Sequence, residues 1–77
     1  MTPLADVQAR WAQVAGDHIA KEAEPVAERE GVVTVRCSSG VWASELSMMS
    51  ASLLGRLNEG RPPGAGEVVE LRFVVGA

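Results

Sequence analysis

The sequence predicts an α+β domain of order α-β-β-α-β, a three-stranded mixed sheet with two helices packed on one face. Three observations predict it. An apolar stripe at helical spacing fills the N-terminal stretch, and a β-branched run from Val32 to Cys37 follows a Glu30-Gly31 turn signal. A second helical pattern starting near Trp42 then leads through a Gly/Pro-rich stretch into an alternating strand that ends at Val75. With 77 residues the chain is a single domain, 1–77, either whole or as one domain of a longer product.

Thr2-Pro3 is a helix start, because Thr caps and Pro is tolerated at the first helical position. Leu4, Val7, Trp11, Val14 and His18 recur on one side of that helix, opposite Asp6, Arg10, Gln13 and Asp17. Gly16 predicts a bend or short break, with Asp17 capping the second piece, and Glu24-Pro25 ends the helical region because a residue before proline is pushed out of α geometry. Pro25 to Arg29 then supports only a short, weak strand. The next strand is stronger: alternation places Val33, Val35 and Cys37 on the core face and Val32, Thr34 and Arg36 on the other.

Ser39 is the expected N-cap of the second helix, with Glu45 near its positive end, and Trp42, Leu46, Met49, Leu53 and Leu57 share one face of a pattern running to about Asn58. Asn58 to Gly66 is a loop by composition. Glu67 to Val75 closes the domain as a strand that runs parallel to the second through a right-handed crossover, leaving the other sheet face open. The aromatic residues are Trp11, Trp42 and Phe73 alone, so Trp11, Trp42, Leu46 and Phe73 are expected to anchor the core, with Trp42 locking the second helix onto the sheet.

Charge and composition narrow the function. A net charge of −3 with seven scattered basic residues argues against a high-affinity nucleic-acid surface, which draws on clustered Lys and Arg. There is neither a signal-peptide pattern nor an apolar run of the ~18 residues that span a bilayer, so a cytoplasmic protein without membrane partners is expected. Cys37 has no second cysteine to pair with and reads as a small buried hydrophobe. His18, the one histidine, reads as a partly buried helix-end residue, since no metal-ligand set accompanies it. The serines have no base and orienting group placed with them, and the Gly60-to-Gly66 stretch precedes a strand and lacks a Gly-Lys-Ser/Thr ending, so neither nucleophilic nor phosphate-loop chemistry is read from them. No enzyme, cofactor or small-molecule substrate is expected.

Two surfaces remain. On the second helix, Ser44, Ser47, Met48, Ala51 and Gly55 fall opposite the Trp42 stripe and carry no charge, which suits close approach of a partner helix as well as a plain solvated face. On the open sheet face, Arg36 and Arg72 stand among Val32, Thr34, Val68 and Val74. They suit a peptide or a nucleic-acid backbone, although Glu70 shares the face and no aromatic platform is present.

Beyond these readings the chain resembles the DciA family of bacterial replicative-helicase loaders over Leu4 to Val75. The carriers are Trp11 with Val14 and Gly16, Ile19-Ala20, Pro25, the Gly31 turn with Val33 and Val35, Ser39 followed by Trp42-Ala43 and Leu46, Leu53-Leu54, Leu57-Asn58, and the closing Leu71-Arg72-Phe73-Val74. The resemblance implies a KH-like domain, the replicative DNA helicase as partner and a role in loading it during replication. Weak contact with DNA is the alternative, as a KH-like single-stranded nucleic-acid-binding module, and a structural interaction domain is a third reading. A KH domain clamps nucleic acid with a GxxG loop between two helices; Val41 to Leu54 contains no glycine, so that clamp is not expected.

Overall fold

In the computed structural model, which describes residues 2–59 and 66–76, the chain starts as predicted. Thr2 Oγ1 accepts from the Ala5 amide at 3.1 Å, Pro3 occupies the first turn, and helix α1 covers Pro3–Ala15. Gly16 stops it at φ 95°, a backbone region that glycine enters without steric cost. Helix α2, Asp17–Glu22, follows at once, but Asp17 is its first residue and not its cap; Gly16 holds the cap position with no side-chain bond.

Strand β1 is longer than its composition suggests, running Ala23–Arg29 in place of Pro25–Arg29. Pairing with the strong neighbouring strand β2, Val32–Cys37, extends it, since strand preference is set largely by tertiary context. The antiparallel register shifts between Pro25 and Ala27. Without this bulge Glu24 would stand opposite Cys37 on the core face. With it, Ala23 and Pro25 turn inward and Glu24 stands opposite Arg36 on the outer face. Pro25 is tolerated because β1 is an edge strand, and its carbonyl accepts from Gln8 Nε2 at 3.0 Å.

The hairpin turn has positive φ at both central residues, Glu30 (53°) and Gly31 (86°), as a type I′ turn requires. Gly31 is also required by space, since a Cβ there would approach the Glu67 carbonyl oxygen to 2.9 Å.

The second helical region also breaks. Ser39 caps α3, Gly40–Met48, accepting from the Trp42 amide at 3.3 Å, while Glu45 lies beyond the first turn and does not serve the helix start. Met49 leaves helical geometry (φ −99°, ψ 3°), and α4 covers Ser50–Asn58. Two residues earlier Ser47 Oγ donates to the Ala43 carbonyl at 2.8 Å, a back-bond that bends helices. The break turns Met49 outward to 40% exposure, so the expected stripe loses one member while Leu46, Leu53 and Leu57 stay fully buried.

Asn58, the last residue of α4, ties down the residues just before the third strand. Its side-chain amide donates to the Val68 carbonyl and accepts from the Val68 amide, both at 2.8 Å. Val68, expected on the open face, is instead buried, because strand β3 (Glu70–Val75) begins only after it and the alternation does not extend back to Glu67. β3 pairs parallel with β2, giving the sheet order β1-β2-β3. Unlike β1, β3 contains neither proline nor a register shift.

The helices pack on one face, α1 on β1 and α3 on β3, and bury Val7, Trp11, Val14, Val33, Val35, Cys37 and Leu71 between them. Trp11 lies at the centre, its Nε1 donating to the Ala23 carbonyl at 2.8 Å. Trp42 and Phe73 pack against this core only half-buried, so Trp42 is a bracket at its edge and not a central anchor. Arg10 donates to the carbonyls of Leu57 and Glu59, and Arg56 to that of Val14, cross-tying α1 to the end of α4.

Candidate functional site

Helix α3 turns Trp42 and Leu46 toward the sheet, which leaves the opposite side to solvent. Val41 and Met48, seven residues apart and therefore stacked on one side of the helix, are 72% and 76% exposed. Ser44 and Glu45, three and four residues on from Val41, are exposed between the two, and Ser47 is exposed at the margin of this side. Beyond the Met49 break, Ala51 and Gly55 are exposed on α4. All five residues picked from the sequence are thus outside, but on two consecutive helices and not on one. The hydroxyl of Ser47 is occupied by its own helix, so this surface offers apolar contact and small side chains more than free hydrogen-bonding groups.

The sequence does not single out Val41, and it places Met49 in the core because a continuous helix would bury it. Val41 carried a usable signal, its seven-residue spacing from Met48, hidden beside the more conspicuous Trp42.

The open sheet face differs from expectation in its basic residues. Arg36 and Arg72 differ in their surroundings: the Arg36 guanidinium is paired with the Glu24 carboxylate directly across from it, whereas Arg72 stands opposite Thr34. The arginine that does share a depression with Arg72 is Arg29, not singled out in the sequence.

His18 is exposed on α2, not partly buried, with its ring 5.7 Å from that of Trp42 and tilted by 57°, so it links α2 to α3. Among the described residues no cluster of His, Cys, Asp and Glu could hold a metal ion. Cys37 is 1% exposed, and burial pushes its thiol pKa up, away from the reactive thiolate. No helix among the described residues is long and apolar enough to cross a membrane.

Fold and surfaces together define a small α+β domain whose accessible features are an apolar helical face and an open sheet face. The chain belongs to the DciA family: the family model described as "Dna[CI] antecedent, DciA" matches residues 3–73. Among similar proteins, a UPF0232 protein of Rhodococcus jostii is 39% identical over 67 residues, covering 87% of this chain and 35% of that protein. One from Mycolicibacterium smegmatis is 42% identical over 65 residues (84% and 32%), and one from Streptomyces coelicolor 35% over 74 residues (91% and 39%). The chain therefore spans about a third of the length of these relatives.

Proposed function

We propose that this domain is a non-enzymatic accessory of replication initiation that works in the cytoplasm, binds the replicative DNA helicase and assists its loading onto DNA. Membership of the DciA family supports the replication context. The observation that carries the docking mode is the exposed side of α3, where Val41 and Met48 stand in water with Ser44 and Glu45 between them. Large apolar side chains flanked by small ones let a partner helix approach closely and bury its own apolar stripe.

The test is co-purification of the protein with the helicase of the same organism, repeated with Met48→Glu and Ala51→Arg. Both residues are exposed, so folding should be unchanged by circular dichroism. Burying an unpaired charge at the contact should weaken binding about tenfold or more. Retention of full affinity by both variants would move the contact elsewhere, and absence of helicase binding by the wild-type protein would remove the reading altogether.

Nucleic-acid binding through Arg36 has less support, because Glu24 already neutralises it. Fluorescence anisotropy with single-stranded DNA at low salt is expected to show no binding by this domain, since a phosphate-binding mode needs several free cations.

A further inference from the structure

The arginines of this protein are unequally employed. Arg10 and Arg56 are tied to backbone carbonyls, and Arg36 is paired with Glu24. Arg29 and Arg72, by contrast, have no hydrogen bond or ion pair among the described residues, and both line one shallow depression of about 400 Å³ at the hairpin end of the open sheet face. Register explains the placement. Arg29 stands beside Val32 in one row, and Arg72 beside Thr34 and Ala27 in the next, so the two guanidinium groups flank a floor of Ala27, Val32 and Thr34. Glu28 on the same rim is engaged by the Gly31 amide at 2.8 Å.

We propose that this depression is a docking subsite for a carboxylate side chain of an extended peptide segment in a protein partner, apart from the α3 face and independent of the helicase reading. Two guanidinium groups and the Thr34 hydroxyl supply donors for a single carboxylate, in the forked geometry that arginine offers. The apolar floor accepts the methyl or methylene groups beside it. The same surroundings disfavour a nucleic-acid strand. Glu30 lines the depression, Glu70 lies in the Arg29 row, and no aromatic ring stands on the face for base stacking. A polyanion following the sheet would meet both glutamates with successive phosphates, whereas a single carboxylate in the depression faces Glu30 with two guanidinium groups to offset it.

The test is a nitrogen-15 NMR titration of the protein with the acetylated, amidated peptide Ala-Val-Glu-Val-Ala, its Gln counterpart, and a fifteen-nucleotide oligo(dT). The Glu peptide should shift the amides of Ala27, Val32, Thr34 and Arg72, and the Gln peptide should bind about fivefold more weakly or worse. Arg29→Gln and Arg72→Gln should each abolish the response while leaving the rest of the spectrum in place. Equal response to both peptides, no response to either, or shifts of these amides by oligo(dT) in preference to the Glu peptide would overturn the proposal, the last reassigning the face to nucleic acid.

Discussion

Trp11 and Trp42 were equal candidates for the core in the sequence, and the structure separates them. Trp11 is 3% exposed with its indole nitrogen bonded to the Ala23 carbonyl, whereas Trp42 is half-buried against His18. Trp11→Ala should therefore cost about 3–5 kcal/mol and leave the domain largely unfolded, while Trp42→Ala should cost roughly half of that. Urea denaturation of the two variants checks the ranking. Cys37 gives a second test at this scale. Its thiol pKa is raised by burial above the unfolded value of 9.0, so the folded state favours the neutral form. That contribution is complete below the unfolded value and is lost as pH rises from there through the folded value. Stability should thus fall on the alkaline side, less so in Cys37→Ala after its cavity cost is subtracted, and the native thiol should react with Ellman's reagent only as fast as the protein opens.

The elements show where local sequence was sufficient. The Thr2-Pro3 start, the Gly16 break, the Glu30-Gly31 turn and the alternation of β2 each rest on a residue type with a narrow backbone or burial preference, and each appears as read. The break at Met49 was not legible, because Met49 satisfies a 3.6-residue stripe and the Ser47 back-bond is one of several bonds a serine makes. Nor was the register of β1. A bulge at one residue decides whether Glu24 faces the core or Arg36, and it arises from pairing across the hairpin and not from the strand itself. The candidate surfaces inherit both gaps: the five helical residues are exposed but divided between α3 and α4, and Arg36 is paired with Glu24 where the sequence leaves it unpartnered. Asn58 offers the test at this scale. Removing its amide leaves the N–H and C=O of buried Val68 without partners, so Asn58→Ala should cost about 2 kcal/mol or more, with faster amide exchange at Val68 and Leu71 than in α1.

For the whole molecule, the cross-ties matter more than any one element. α2 has only six residues and β3 six, each too short to persist alone. Arg10 reaching the end of α4, and Arg56 reaching Val14, join the first helix to the last segment before β3. Unfolding should consequently be a single transition, coincident by far-ultraviolet circular dichroism and tryptophan fluorescence; two separated midpoints would show that the halves melt apart. Arg10→Ala should lower the common midpoint without splitting it, by about 1–3 kcal/mol.

The two borders of the sheet are not alike. β1 presents Pro25 and a shifted register to any strand that approaches it, while β3 presents six regular residues with only Glu70 and Arg72 as charges. Among the described residues no strand lies beyond β3, so the sheet grows in one direction only. In concentrated solution the first contacts between copies should therefore run along Glu70–Val75 and never along β1, and a proline at Val74 should keep the protein dispersed where a proline added to β1 would not.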